Sequence, residues 1–285
     1  MMNPMNRRSF LISTSATLTG AAILPQLRAA ETPPAPAIRI GACVVGLKQA
    51  REAGLQGIEP GVGGAADKLE IVDVAVRKRY HDEMKETGLS VCSLMMGLLN
   101  SYPLASDPRG PAWLEQSIDA ARDLKAGVIL IAFFGAGDLL DKAGKLKETE
   151  ADEVVRRIKA AAPKAKEAGV ILGIENLLNG EQNARLLDRI NHESVQIYYD
   201  VFNTGTSQKH NVPADLKLLK GRIAQLHFKN GPKFLDEEPA KFEPIVAAVK
   251  DIGYRGWIVL ETSSPSGNAV ADVRRNAEYL RKLLA

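Results

Sequence analysis

Short apolar runs alternate with amphipathic stretches along most of the chain, and this alternation predicts eight strands and eight helices. The predicted strands are residues 38–44, 55–59, 89–95, 128–134, 170–175, 195–200, 223–228 and 257–261. The predicted helices are residues 47–53, 72–84, 111–124, 149–168, 181–190, 213–219, 239–252 and 269–284. Pro163 is expected to kink or split the fourth helix, because proline removes a helix hydrogen bond.

The strands are nearly continuous apolar runs, which indicates a parallel sheet that is buried on both faces. Eight strand–helix units over residues 38–285 match a (β/α)8 TIM barrel, which typically takes about 250 residues. An open doubly wound sheet is the alternative. It needs a reversal of strand order and brings successive strand ends to one point less easily.

The last four predicted strands each end in a polar side chain: Glu175, Asp200, His227 and Glu261. The intervals between them are 25, 27 and 34 residues, so each holds one helix and two loops. One such residue alone is usually a helix cap or a salt-bridge partner. Four at successive strand ends would meet at the C-terminal mouth of a barrel, where active sites lie. Their mutual repulsion requires a cation, and oxygen ligands with one nitrogen favour Mn²⁺, then Mg²⁺, Co²⁺ or Zn²⁺.

The N-terminus is typical of an export signal rather than of the folded domain. Residues 6–11, NRRSFL, have the pattern of a twin-arginine motif, and a mildly apolar stretch follows to Leu24. Residues 1–30 are therefore interpreted as a twin-arginine signal peptide with cleavage near Ala29-Ala30, and the proline-rich residues 31–37 as a linker. This predicts a periplasmic or otherwise exported protein. The apolar stretch is too short for a stable membrane span.

Composition adds two constraints. The formal charge of +3 comes from Arg7, Arg8 and Arg28 of the signal, so the remaining chain is neutral and gives no argument for nucleic acid as a partner. Cys43 and Cys92 fall on the first and third predicted strands, which are not neighbours in a barrel. Both are expected to be free thiols, and the oligomeric state is left open.

Four segments of the chain resemble the xylose isomerase-like TIM barrels, often called sugar phosphate isomerases or epimerases. These segments are residues 174–176 (IEN), 199–202 (YDVF), 226–230 (LHFKN) and 253–261 (GYRGWIVLE). The likeness runs from residue 38 to the end. In the ketose 3-epimerase branch, Glu, Asp, His and Glu at these strand ends hold one divalent ion. The resemblance therefore implies that Glu175, Asp200, His227 and Glu261 bind the metal, and that Glu175 and Glu261 also exchange a proton with the substrate.

The resemblance also implies substrate-binding residues beside the metal. Glu181 stands six residues after the first ligand, where the branch has a Glu that holds substrate. Lys233 stands six residues after His227, where the branch has an Arg. Asn203 replaces a His that the family commonly has, and Asn230 replaces an acid. Asn203 and Lys229 are therefore further candidates for substrate contacts that differ from those of a standard epimerase.

A sugar carbonyl and hydroxyl on a divalent ion make the neighbouring C–H acidic and stabilise an enediolate. Returning the proton gives epimerisation or isomerisation, and expelling a leaving group gives elimination. The sequence thus predicts an exported metal-dependent sugar isomerase or epimerase. A lyase that removes the aglycone of a keto-glycoside is the first alternative, because an exported enzyme meets free sugars and glycosides. A non-catalytic sugar-binding protein is the second.

The export signal can be tested by changing both arginines to lysine, R7K together with R8K. The twin-arginine pathway reads the guanidinium pair, so we expect the variant to stay in the cytoplasm while the unchanged protein is exported. Cell fractionation and immunoblotting measure the distribution. Equal export of both proteins would contradict the signal-peptide interpretation.

Overall fold

The computed structural model describes residues 38–285, which form a parallel β-barrel surrounded by helices. The predictions for residues 1–37, the export signal and the linker, lie outside the described residues. The strands are β1 Arg39–Ala42, β2 Gly57–Ile58, β3 Ser90–Val91, β4 Ser93–Met96, β5 Val128–Ala132, β6 Ile171–Glu175, β7 Val195–Asp200, β8 Ile223–Phe228 and β9 Trp257–Leu260. The predicted TIM barrel is confirmed.

The barrel closes at its third predicted strand, which Cys92 divides into β3 and β4. The strand order is β3-β2-β1-β9-β8-β7-β6-β5-β4, with every pair parallel. β3 pairs with β2 and β4 pairs with β5, so the two halves of one predicted strand join both edges. The Met95 amide also donates to the Pro60 carbonyl at 2.9 Å, which continues the contact past the end of β2.

The helices are α1 Leu47–Glu52, α2 Val74–Thr87, α3 Gly110–Leu124, α4 Glu148–Ala168, α5 Gly180–Ile190, α6 Val212–Leu218, α7 Pro239–Asp251 and α8 Ala269–Leu284. Their ends agree with the predicted ones within a few residues. Pro163 does not split α4, and this part of the prediction is wrong. The helix is 21 residues long and buries a face that includes Ala161, Ala162 and Ala165, so packing on the barrel outweighs the loss of one hydrogen bond.

Local sequence signals explain where the helices start and stop. Asn179 caps α5 through its side chain, which accepts from the Gln182 amide at 2.9 Å, while Gln182 accepts from the Asn179 amide at 3.0 Å. Gly88 and Gly169 end α2 and α4 with φ of 72° and 69°, a left-handed conformation that favours glycine. Gly88 and Gly169 therefore fix where the chain leaves the helix to begin β3 and β6.

The two cysteines are free thiols, as predicted. Cys92 is buried among Trp257 and Val259 inside the barrel, with Cys43 partly buried against the same cluster. Burial raises the pKa of the Cys92 thiol to about 12, so this thiol is unreactive. None of the helices within residues 38–285 is both long and apolar enough to cross a membrane.

Gly57 tests how tightly the barrel closes. A Cβ at this position would lie 2.7 Å from the Ser90 carbonyl oxygen and 2.8 Å from the Trp257 ring. We expect Gly57→Ala to lower the free energy of unfolding by about 1–3 kcal/mol, because backbone and ring must both move. Gly127→Ala is the matched control, since its Cβ would meet nothing within 4 Å. Urea unfolding followed by circular dichroism compares them, and equal stabilities would refute the close contact.

Candidate metal centre

Carboxylates from the ends of β6, β7 and β9 converge on Nδ1 of His227, which lies on β8 between them. Its Nδ1 lies 3.1 Å from Glu175 Oε1, 3.3 Å from Glu261 Oε2 and 3.9 Å from Asp200 Oδ2. Glu175, Asp200 and His227 are buried, whereas about one third of the Glu261 side chain is exposed. The structure thus brings together all four residues that the sequence analysis singled out.

The donor set fits a hard divalent cation. One atom from each of the four side chains lies within 4.8 Å of the others. Ligands at about 2.1 Å from a common ion lie roughly 3–4 Å apart, so small side-chain shifts would bring all four onto it. Asp200 Oδ2 is buried, and its one close charged neighbour among the described residues is the Lys229 ammonium at 2.9 Å. A buried carboxylate oxygen is costly unless positive charge or a hydrogen bond satisfies it, so this oxygen can bind a cation in place of the ammonium.

The turn after β7 fixes the other oxygen of Asp200. Asp200 Oδ1 accepts from the Phe202 amide at 2.8 Å and from the Asn203 amide at 2.7 Å. The Thr204 hydroxyl donates to the Asp200 carbonyl at 2.7 Å. The Asn203 amide and the π-helical turn over residues 203–207 therefore hold Asp200 so that its Oδ2 points at the centre.

Lys229 brings a positive charge to the same cluster. Its ammonium lies 2.6 Å from Glu261 Oε2 and 2.9 Å from Asp200 Oδ2. Lys229 follows His227 by two residues, just past the end of β8, so its side chain leaves the strand on the same face as the imidazole. The candidate substrate-binding residue of the sequence analysis thus contacts two of the proposed ligands directly.

The surroundings shift the pKa values of the two glutamates of the cluster in opposite directions. Burial raises the pKa of Glu175 to about 7, although the neighbouring His227 lowers it in part. Burial also acts on Glu261, but hydrogen bonds and charges from His227 and Lys229 outweigh it and lower that pKa to about 2. Burial disfavours the charged form of His227 too, yet the charges of Glu175 and Glu59 raise its pKa well above the ordinary value. The Lys229 ammonium contacts Glu261 and not Glu175, and it therefore contributes to the difference between their pKa values.

Glu59, which follows β2, is a residue of the buried cluster that sequence reasoning missed. It is buried, and its Oε1 lies 2.9 Å from Nε2 of His227, on the far side of the ring from the other three carboxylates. Ser93 and Tyr198 donate their hydroxyls to its Oε2 at 2.6 and 2.8 Å. Glu59 also ends an apolar run, Gly57-Ile58, so the signal that identified the other four residues was present in a shorter form.

Two predicted substrate-binding residues lie away from this cluster. Lys233 is half exposed and forms an ion pair with Glu238 at 2.6 Å. Glu181 is exposed in the first turn of α5, and its side chain has no hydrogen bond to a described residue. Asn230 is buried, but its side chain donates to the Phe234 carbonyl and accepts from Lys241, within the loop after β8. The roles of Lys233 and Glu181 stay predictions.

A groove of about 570 Å³ borders the mouth on the side of β1 and β2. Its lining includes Cys43 and Glu59 at the barrel end and Arg79 and Tyr80 of α2 at the outer end. The volume is in the range that drug-sized ligands fill. A molecule larger than one sugar ring therefore has room beside the cluster.

Several solved structures share this fold. An L-ribulose 3-epimerase matches with a TM-score of 0.71 and 20% identity, covering 87% of this chain and 94% of that one. A 3-keto-D-glucoside 4-epimerase from E. coli matches with a TM-score of 0.69 and 17% identity over 86% and 99% of the two chains. A xylose isomerase-like TIM barrel protein from Mycobacterium smegmatis, in complex with magnesium, matches with 0.66 and 16% over 88% and 97%.

At these identities the structural matches show the fold alone. Among curated protein sequences, none matches this chain. The family model described as xylose isomerase-like TIM barrel matches residues 47–283, which is most of the barrel and includes all four converging strand ends. The chain therefore belongs to the xylose isomerase-like TIM barrel family.

Proposed function

We propose that this protein is a divalent-metal-dependent enzyme that isomerises or epimerises a sugar by moving a proton on the carbon beside the carbonyl. The observation that carries the proposal is the convergence of Glu175, Asp200 and Glu261 on Nδ1 of His227, within 3.9 Å. A non-catalytic sugar-binding protein would not need this costly arrangement, because burying like charges together destabilises the fold. The structural likeness to sugar epimerases agrees with the proposal.

The four side chains would hold one cation through three carboxylate oxygens and one imidazole nitrogen. Mn²⁺ is the first candidate because this mixed oxygen and nitrogen set suits it, with Mg²⁺, Co²⁺ or Zn²⁺ as alternatives. When bound, the cation supplies Lewis-acid polarisation of the substrate carbonyl, which makes the adjacent C–H acidic. Charge balance supports a dication: once a cation replaces the Nδ1 proton of His227, the three carboxylates at Nδ1, the neutral imidazole and the Lys229 ammonium leave two negative charges to neutralise.

Glu175 and Glu261 are the proposed acid–base pair. They project from the ends of β6 and β9, and each contacts Nδ1 of His227 from its own strand. A sugar held beside them can give its proton to one carboxylate and receive one from the other. Lys229 holds Glu261 in the charged form, whereas no ammonium contacts Glu175 among the described residues, so the two sides of the substrate face different groups.

Keto-glycosides are the second candidate substrate class. The groove that borders the mouth has room for an aglycone, and a 3-keto-D-glucoside 4-epimerase shares the fold. The same proton abstraction next to a carbonyl, followed by loss of the glycosidic oxygen, would make the enzyme a lyase. Export by the twin-arginine motif would place the enzyme where such glycosides are available, in the periplasm or outside the cell.

Glu175→Gln and Glu261→Gln test the acid–base pair. Glutamine keeps the shape and an oxygen ligand but removes the basicity, so we expect each variant to lose α-proton exchange by about 100-fold or more. The measurement is deuterium incorporation in D₂O, followed by NMR, with Mn²⁺ present and with L-ribulose and a 3-keto-D-glucoside as separate substrates.

Two controls make this result specific. Glu243→Gln, on the exposed side of α7, should exchange at the wild-type rate, and Lys233→Met should raise mainly KM. If both glutamate variants bind Mn²⁺ and still exchange the proton at the wild-type rate, proton transfer belongs to another group and the acid–base proposal is wrong. Exchange without a new product would point to another substrate of the same class, whereas release of the aglycone would identify elimination.

Lys229→Met tests the charge balance. Removing an ammonium that contacts Asp200 and Glu261 takes a positive charge away from the proposed cation and frees two of its ligands, so we expect Mn²⁺ to bind about tenfold tighter or more. Lys233→Met is the matched control because Lys233 pairs with Glu238 instead. Isothermal titration calorimetry measures both, and weaker binding by the Lys229 variant would mean that the lysine does not compete with the cation.

A further inference from the structure

Glu59 is a buried carboxylate that the proposed reaction does not use. Only 1% of the residue is exposed, and three donors surround its two oxygens at 2.6, 2.8 and 2.9 Å. These donors are the hydroxyls of Ser93 and Tyr198 and Nε2 of His227. A charge so deep in a barrel is costly unless it is fully hydrogen-bonded, and here both oxygens are.

The contact with His227 determines which ring nitrogen faces the proposed metal ligands. Nε2 points at Glu59 Oε1, so Nε2 carries a proton and donates it. Nδ1 then points at Glu175, Glu261 and Asp200. Tyr198 packs edge-on against the imidazole with ring centroids 4.5 Å apart and restricts its rotation. The orientation of the ring is therefore fixed from two sides.

Glu59 is itself held in place by an interior polar network. Gln225 lies two residues before His227 on β8 and thus on the same face of the strand. Its amide donates to the Ser93 hydroxyl at 2.6 Å and to the Tyr198 hydroxyl at 2.9 Å. Both hydroxyls then have their own protons directed at Glu59. The network links β4, β7 and β8 across the barrel interior beneath the metal centre.

We propose that Glu59 is the positioning residue of the metal centre: it accepts the Nε2 proton of His227 and so presents the Nδ1 lone pair to the cation. The inference rests on the proposed function, because it assigns Nδ1 as a metal ligand. Carboxylates that orient a ligating histidine in this way typically contribute 10–100-fold to metal affinity. Glu59 does not bind the cation, and both of its oxygens are engaged by protein donors.

A second cation site on the other side of the ring is the competing explanation. One atom each of Cys43, Glu59 and His227 lies within 4.8 Å of the others. Such a site would have to take Nε2 away from Glu59, and both oxygens of Glu59 already accept hydrogen bonds. The positioning role needs no such rearrangement, and the experiments separate the two.

The first experiment is Mn²⁺ titration of Glu59→Met and Glu59→Gln by calorimetry, with Glu243→Met as the surface control. Methionine removes the acceptor, and we expect binding to weaken by 10–100-fold. Glutamine can still accept from Nε2 through its carbonyl oxygen, so it should recover most of the loss. Thermal unfolding is recorded alongside. If Glu59→Met only lowers Tm while its folded fraction binds Mn²⁺ as tightly as wild type, the positioning role is refuted.

The second experiment does not require Glu59→Met to fold. Wild type and Glu59→Gln are labelled with ¹⁵N-histidine, and the His227 ring is assigned with a His227→Gln variant. With Mg²⁺ bound, the account predicts a slowly exchanging proton on Nε2 and none on Nδ1. A proton on Nδ1, or a cation bound through Nε2 beside Cys43, would overturn the proposal.

The same spectra distinguish the failure of the two ideas. If wild type binds no divalent cation, the proposed function fails, and the cation-free spectrum decides the role of Glu59. A protected Nε2 proton in wild type that shifts in Glu59→Gln would still show that Glu59 orients the ring. A rapidly exchanging Nε2 proton in wild type would refute the orientation itself.

Discussion

Three carboxylates that share one small buried volume repel one another, and positive charge is required to hold them there. Glu175, Asp200 and Glu261 gather within 3.9 Å of a single imidazole nitrogen at the mouth of the barrel. Lys229 compensates one negative charge through contacts of 2.6 and 2.9 Å. The remaining negative charge is the reason we propose a dication here, and the proposed chemistry depends on that imbalance.

The stability of the apolar barrel offsets the energetic cost of this charged cluster. Each polar group ends a strand whose earlier residues are buried in the apolar core, so the strands supply the stability and only their last positions carry charge. Below the centre, Ser93 and Tyr198 donate to Glu59 and accept from the Gln225 amide, so the buried carboxylate of Glu59 is hydrogen-bonded at that level. The three carboxylates at the mouth, above this network, remain able to contact a cation and a sugar.

Much of this could be predicted from the sequence, because strand and helix periods and helix-ending glycines are local signals. The ends of the long strands were predicted well, and with them Glu175, Asp200 and His227. β2 is only two residues long in the structure, so the sequence pattern at Glu59 was weak although its buried side chain contacts His227. Contacts between strands, such as those of Lys229 with its two neighbouring strands and of Tyr198 across the barrel, depend on side-chain directions that local patterns do not contain. Lys233 was predicted as a substrate contact from the family resemblance, and this stays a prediction; its ion pair with Glu238 is another contact that local patterns do not contain.

The most direct test of the central claim is anomalous diffraction at the manganese edge from crystals of the protein grown with Mn²⁺. The account predicts one strong peak between Glu175, Asp200, His227 and Glu261, with ligand distances of about 2.1–2.3 Å and Nδ1 as the nitrogen ligand. No peak at saturating Mn²⁺, or a single peak beside Cys43 and Nε2 of His227, would contradict it.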